Sequence, residues 1–590
     1  MLPAHLRTHS PRRAVPPGAA LALAGLLTGM GVGTTSTPAE AQTEAPAAMD
    51  GGGACPGGVL SRIEIRNHSL FAPEDIEGHR FQWALGFANW IHVRTRREYV
   101  RRELLVREGG CYDPTAVDES LRNLRDLDFI ARVEATPTLL PDSSWAVRVQ
   151  TWDEWTTQVG VNFDVEGRFQ FKGAYITEKN LLGRGLRLSF RYHDFRERND
   201  RSLALSTNRF LGTRATASVE AGTTRTGHYF GQTFSYPFFS EASRWTVESQ
   251  FSYEDREFSY LTGNHDDVSH VLLPFRDVQG GALFARRYGE PGALALVGAE
   301  VDVRRRTVSG PVRQVYQGDF DHAIAAHDSL TGRLAPQDAP DSWVRLGGTV
   351  GLRRLRFTTA RGLDRVSGEQ NVALGADLKL TVGRALGTWG TEPGGYSYGQ
   401  ALGFLSARKG SVLAFTSFRA EGRRLDDPAD RGRWRDLVLW GRGMVYVQPG
   451  PGTLNTFVTG THFKLHGNRD QPGQIALGGE EGVRSYREDQ VPASSVFVAF
   501  AEHRLNLPWF RPAMDLGVTV FGDVGQGWAG DAPFAVDTGW RKAAGVGLRL
   551  GFPAGTGSVT RLELAWPVGG PDAGRGPVFR TYWSPAPTSR

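Results

Sequence analysis

Thr157-Gln158-Val159-Gly160-Val161-Asn162-Phe163-Asp164-Val165 changes character at every step: Val159, Val161, Phe163 and Val165 are apolar, and the residues between them are small or polar. Successive side chains of an extended backbone point to opposite faces, so this stretch reads as a strand with one greasy and one wet side. The same period continues toward the C-terminus. Leu186, Leu188, Phe190 and Tyr192 alternate with Arg187, Ser189, Arg191 and His193. Trp245, Val247, Phe251 and Tyr253 stand opposite Thr246, Glu248, Gln250 and Ser252, and Val546, Leu548, Leu550 and Phe552 opposite Gly547, Arg549 and Gly551.

A soluble β-sandwich and a membrane barrel both produce such alternation. Two features favour the barrel. The strands run about 8–12 residues, enough to cross a bilayer at a tilt, and aromatic residues recur near strand ends, where an interface lies. Closure follows physically, because an open edge in lipid leaves backbone groups without hydrogen bonds. The expected fold class is an all-β transmembrane barrel over 156–590, of about 16 antiparallel strands, with 14 or 18 also compatible with the length.

Composition agrees. Of 590 residues, 40% are hydrophobic and 73 are glycine, with a mean hydropathy of −0.33. That excludes a bundle of long apolar helices but suits a barrel whose inward residues are polar. The net charge of +5 is spread along the chain without a long basic run, so no nucleic-acid partner is expected.

Arg7, Arg12 and Arg13 precede an apolar, glycine-rich stretch from Gly18 to Gly33, and Ala39-Glu40-Ala41 precedes Gln42. This reads as a cleaved export signal over 1–41, followed by an Ala/Gly/Pro linker over 42–57. Export makes a disulfide between Cys55 and Cys111 permissible. The alternative is two unpaired small residues.

Residues 58–155 read as a separate α+β domain. Val59, Ser61, Ile63 and Ile65 alternate with Leu60, Arg62, Glu64 and Arg66 in a half-buried strand. Thr95 and Glu98 have capping-box spacing for a helix carrying Val100 and Leu104, ended by Gly109-Gly110. Asp113-Pro114 opens a second helix with Val117, Leu121, Leu124 and Leu127 on one face. Two strands follow, with Phe129, Ala131, Val133 and Ala135 on one and Trp145, Val147 and Val149 on the other. The aromatic-rich stretch 69–94 (Phe81, Trp83, Phe87, Trp90) fits neither period, and a loop on the barrel mouth is the reading left open for it.

Four fragments carry a family resemblance. Residues 109–133, GGCYDPTAVDESLRNLRDLDFIARV, resemble part of a POTRA domain, the periplasmic module of BamA, TamA and two-partner-secretion transporters. Residues 177–185, TEKNLLGRG, are similar to the E-x-N-L-x-G-x-G motif at the start of those barrels, through Glu178, Asn180, Gly183 and Gly185. Leu477-Gly478-Gly479 followed by Val483-Arg484-Ser485-Tyr486 resembles their extracellular-loop motif, with Ser485 standing where those proteins carry glycine. Phe521-Gly522-Asp523 resembles their F-x-D strand motif.

The resemblance implies that the loop carrying Arg484 folds into the lumen and pairs with carboxylates there. Parity is consistent with this. If Leu516, Val518 and Val520 face lipid, then Thr519, Phe521 and Asp523 face inward. On the preceding strand, Glu502, Arg504 and Asn506 face inward if Ala501, Leu505 and Leu507 face lipid. Arg484, Tyr486, Asp523, Glu502 and Phe521 are the expected loop lock. Assembly, insertion or translocation of unfolded outer-membrane or secreted client proteins is the implied function. The expected setting is the cell outer membrane, with bilayer lipid, lipopolysaccharide and accessory periplasmic proteins as further partners, and the small domain in the periplasm. A secretion pore for one partner and a passive porin-like barrel are the alternatives.

No cofactor, metal or enzymatic activity is expected. Gly395-Tyr396-Ser397-Tyr398-Gly399 matches a nucleophile-elbow pattern but lacks the strand–turn–helix context that motif needs. The histidines, among them His92, His193 and His503, are scattered without metal-ligand spacing and are expected in the lumen or at the surface.

Overall fold

The computed structural model describes residues 55–585, apart from 79–81, 167, 196–197, 266, 387–394, 427–432, 451–454, 480 and 487–490. The expected export signal, most of the linker and Phe81 lie outside the described residues, as do the side chains of Asn162, Phe163, Asp164 and Val165.

The small domain is built on β1 (Leu60–His68), β2 (Ile130–Leu139) and β3 (Trp145–Asp153), in the order β1-β3-β2. β1 runs parallel to β3, and β2 antiparallel to it. A parallel pair needs a long crossover. Here the chain between β1 and β2 supplies, among the described residues, one helical turn and three longer helices: α1 (Gln82–Ile91), α2 (Arg97–Glu103) and α3 (Pro114–Arg125). Helices α2 and α3 bury Val100, Val117, Leu121 and Leu124 against Leu60, Ile63, Ile65, Val133, Val147 and Val149. Asp113 caps α3, accepting from the Thr115 amide at 2.8 Å, and Pro114 occupies the first turn, where its missing N–H costs nothing. Cys55 and Cys111 are joined as a disulfide.

Two local expectations are corrected. Thr95 and Glu98 form no capping box: α2 begins at Arg97 with Arg96 as an N-cap whose side chain does not cap the helix but donates to Leu182 O at 3.1 Å, because Thr95 is engaged elsewhere, its amide donating to Asp153 Oδ2 at 2.6 Å. The helix also ends at Glu103, before Gly109-Gly110. Those glycines pair with the start of β1 instead, the Gly109 amide donating to Leu60 O and the Leu60 amide to Gly110 O, both at 2.8 Å. Nor is the stretch 69–94 a loop. It contains a helical turn, Pro73–Ile76, and the ten-residue α1.

Beyond Asp153 the chain is antiparallel sheet. The strands are β4 (Thr157–Glu166), β5 (Arg168–Leu181), β6 (Leu186–Phe195), β7 (Arg198–Thr207), β8 (Thr216–Thr223), β9 (His228–Tyr236) and β10 (Trp245–His265). Next come β11 (Val268–Glu290), β12 (Ala293–Val308), β13 (Asp341–Arg361), β14 (Glu369–Ala385), β15 (Tyr396–Lys409), β16 (Val412–Leu425) and β17 (Trp434–Val447). The last are β18 (Asn455–Gly467), β19 (Ser495–Leu507), β20 (Asp515–Trp528), β21 (Arg541–Gly551), β22 (Ser558–Gly569) and β23 (Val578–Pro585). The order is circular, with β23 beside β4.

Among the described residues the barrel therefore has twenty strands rather than about sixteen. The smaller number assumed long connections. Hairpins such as Pro291-Gly292 and Gly410-Ser411 leave room for more strands in the same length.

Burial sorts the two faces. Val159 is 70% exposed, Leu352 68% and Val520 62%, whereas inward Thr349 and Thr519 are 1% and 4% exposed. The outer wall thus presents aliphatic side chains with no protein over them, the surface that lipid covers. No described helix is long and apolar enough to cross a membrane; the crossing elements are strands.

The turns at one end, including 182–185, 237–244 and 362–368, touch the small domain. At the far end, residues 309–340 form a long connection whose Arg313–Tyr316 strand pairs with the start of β11.

Candidate functional site

The connection between β18 and β19, residues 468–494, packs against the inner wall. Leu477, Val483, Tyr486 and Val491 bury against Val496 and Val498 of β19 and Ala543 of β21. Glycine on the wall makes space for this. A Cβ on Gly525 would lie 2.8 Å from a methyl of Val483, closer than packing permits. Ser485, where the resembled loop motif carries glycine, has no positive φ, so the turn does not need glycine there.

Arg484 is the polar centre of the packed loop. Its Nη2 donates to Asp523 Oδ1 at 2.7 Å and its Nε to Oδ2 at 3.0 Å, a two-pronged contact. The Arg484 amide also donates to Asp523 Oδ2 at 3.0 Å. Nη1 turns to Glu502 Oε2 at 3.1 Å and Glu563 Oε1 at 3.4 Å. The guanidinium lies over Phe521, its carbon 3.4 Å from the ring centroid. Every one of these side chains is buried. The planar fork matches a carboxylate and stacks on an aromatic face at once, a combination that lysine cannot supply.

Glu502 is shared, accepting from Arg504 Nε at 2.8 Å. Arg504 continues inward to Asp364 at 3.5 Å, and Tyr446 donates to Asp364 at 2.7 Å. Tyr486 is buried, and its carbonyl accepts from Arg580 of β23. The loop is therefore tied to β19, β20, β22 and the last strand together. Sequence parity places Glu502, Phe521 and Asp523 on the inner face but does not single out Glu563 or Arg580. For Glu563 a signal exists, since it and Arg561 flank apolar Leu562, with Leu564 following.

Glu178, Asn180, Gly183 and Gly185 are not part of this cluster. They form the joint between barrel and small domain. Asn180 Nδ2 donates to Thr95 Oγ1 at 2.7 Å, and its Oδ1 accepts from the Gly185 amide at 2.6 Å. Glu178 accepts from Thr157 at 2.5 Å and from the Asn180 amide at 2.9 Å. The Arg96 amide donates to Gly183 O at 3.0 Å. Gly183 has φ +69°, and a Cβ there would collide with Arg94 O; one on Gly185 would collide with the Tyr99 ring.

Gly183→Ala is accordingly expected to loosen the joint. The left-handed backbone alone costs about 1–2 kcal/mol for alanine, before the collision with a carbonyl. Amide exchange at Arg96 should rise. Gly410→Ala is the control, because Gly410 has φ +57° but nothing within 4 Å of the added carbon. Equal exchange at Arg96 in both variants would refute the joint.

A second buried ion pair lies next to that motif. Lys179 Nζ contacts Glu154 Oε1 at 3.3 Å, Ser558 Oγ at 3.1 Å and Asp128 O at 3.0 Å. Glu154 also accepts from the Gly557 amide at 2.9 Å. Lys179 belongs to β5 and Ser558 opens β22, so the contact spans β4 and β23, the first and last strands.

The remaining candidates separate from both clusters. Ser397 lies on β15, where Arg384 donates to it at 3.2 Å, with no helix following. His92 is neither in the lumen nor at the surface: its ring is buried in the small domain, 3.1 Å from Asp153. There it meets the same carboxylate oxygen that accepts from the Thr95 amide. His193 faces Asp200 at 3.1 Å, and His503 stacks on Phe457.

No protein-family model and no curated protein matches the chain. Among solved structures, the chain is similar to BamA from Haemophilus ducreyi lacking POTRA domains 1–3, at 11% identity, covering 89% of this chain and 84% of that one, with a TM-score of 0.38. It is also similar to CdiB from Escherichia coli, at 12% identity over 89% and 76% of the two chains, TM-score 0.40. For CdiB from Acinetobacter baumannii the values are 11%, 89% and 73%, with a TM-score of 0.36. By its own strand order and burial, the chain forms an antiparallel β-barrel, of twenty strands among the described residues, with an apolar outer wall and a small α/β domain joined at one end.

Proposed function

We propose that this protein is an outer-membrane barrel of the BamA/TamA superfamily that inserts or translocates polypeptide clients, its small POTRA-like domain lying in the periplasm. The observation that carries the reading is the inward loop, held through Arg484 to three carboxylates and through Tyr486 to the last strand. The loop is clamped to the strands that lead up to the seam. In a barrel that opens at the β4–β23 seam, the clamp keeps the C-terminal strands in register while the edge is exposed.

In this reading β2, which pairs with β3 on one side only among the described residues, offers its free edge to an extended client segment. The seam then opens sideways, and the bare strand edge, costly in lipid, pairs with the client's own strands. Client folding supplies the driving force.

The test is photocrosslinking in living cells from Val159 on β4 and Thr138 on β2. Capture of unfolded outer-membrane or secreted polypeptides at both positions is expected. Rapid ungated conductance in planar bilayers, with no client captured at either position, would overturn the proposal.

A further inference from the structure

Helix α1 carries no charged residue, and two of its faces are apolar. One face is satisfied: Leu85 and Ala88 are buried with Leu70 and Phe71, against Trp155 and Ala513. The other is bare. Trp83 is 75% exposed and Trp90 79%, with Phe87 and Ile91 also exposed beside them. At positions 83, 87, 90 and 91 these form a single stripe, one turn above the next. Four large apolar side chains in one exposed stripe do not belong in water.

The surroundings say what covers them. Phe552 directly follows β21, whose Val546 and Leu548 are exposed on the outer wall, and is itself exposed. Phe71, under α1, stacks edge-on against Phe552 with centroids 6.0 Å apart, and Trp155 does the same at 5.8 Å. Helix α1 therefore sits outside the barrel rim, level with the turns that end the strands. The neighbouring turn 508–514 exposes Trp509 and Phe510 on the same rim. Tryptophan and phenylalanine collected at the border of an apolar wall form the girdle that membrane proteins place among lipid headgroups. Arg94, Arg96 and Arg97, all exposed, follow the helix at once and complement anionic headgroups.

We infer that α1 is an interfacial helix that inserts its Trp83–Phe87–Trp90–Ile91 stripe into the phospholipid leaflet on the small-domain side, beside the strands that lead to the seam. The lipid contact fixes the small domain against the membrane at a second point, independent of the covalent link to β4. It continues the lipid-facing surface of the barrel without a break. The inference requires a barrel in a bilayer and does not depend on the client chemistry proposed above.

The test uses the full chain reconstituted in vesicles of phosphatidylethanolamine and phosphatidylglycerol. A nitrobenzoxadiazole label is attached at Trp90→Cys, or at Pro141→Cys on the distal β2–β3 hairpin as a control; Cys55 and Cys111 are already paired. Doxyl-labelled lipid should quench most of the emission from position 90, which should also be blue-shifted, and leave position 141 unchanged. Emission at 90 matching that at 141, and quenched by aqueous iodide, would overturn the inference. So would shielding from both quenchers, which would show that a second protein copy covers the stripe.

Discussion

Arg484→Ala is expected to release the loop 468–494 from the barrel wall and to reduce client assembly sharply. The substitution leaves Asp523 buried without its guanidinium partner, while Glu502 keeps Arg504 and Glu563 keeps Arg561 within 3.7 Å. Removing one partner of a buried pair costs about 3–5 kcal/mol, because the remaining charge stays desolvated. The loop also buries Ile475, Leu477, Val483, Tyr486 and Val491, but undocking returns the stranded Asp523 carboxylate to water. Limited proteolysis should then cut within the loop, while the barrel retains its resistance to unfolding in cold detergent. Arg484→Lys should fall between the native protein and the alanine variant, since a point charge cannot grip both oxygens of Asp523 or stack on Phe521. Wild-type levels of client assembly in the alanine variant would remove the loop lock from the mechanism.

Lys179→Met should have a comparable effect on the barrel itself. Both Lys179 and Glu154 are almost wholly buried, and the contact is a bridge over the seam at the small-domain end. Loss of the ammonium strands Glu154, with an expected destabilisation of about 3–5 kcal/mol. The temperature at which the folded band disappears in semi-native electrophoresis should drop. The signature of a charge effect is rescue: Lys179→Met combined with Glu154→Gln should be more stable than Lys179→Met alone, because the double variant buries no unpaired charge. If the double variant is the less stable of the two, the contact acts through packing instead.

Period two is readable in the barrel strands from Thr157 onward, and so is the orientation it implies. Val159, Val520 and Val546 are exposed on the outer wall, and Thr519, Phe521 and Glu502 are buried inside. Helix α3 of the small domain is readable down to its Asp113 cap. The strand number is not. Alternation says which way a side chain faces, but hairpin length sets how many strands a given stretch makes, and turns as short as Pro291-Gly292 leave little trace in composition. The Thr95–Glu98 spacing misleads for a related reason. Thr95 has three tertiary partners, Asn67, Asp153 and Asn180, which outcompete a local cap.

What the sequence determined by itself is the sorting of faces, because the side-chain period of a strand is local and lipid punishes any breach of it. The tertiary structure alone decided which residues meet. Arg484 reaches Glu563 across 79 positions and Lys179 reaches Ser558 across 379, since curling the sheet into a ring brings its two ends together. The role of α1 belongs to that second class: its uncharged sequence could serve a core, and only its place outside the rim exposes Trp83 and Trp90.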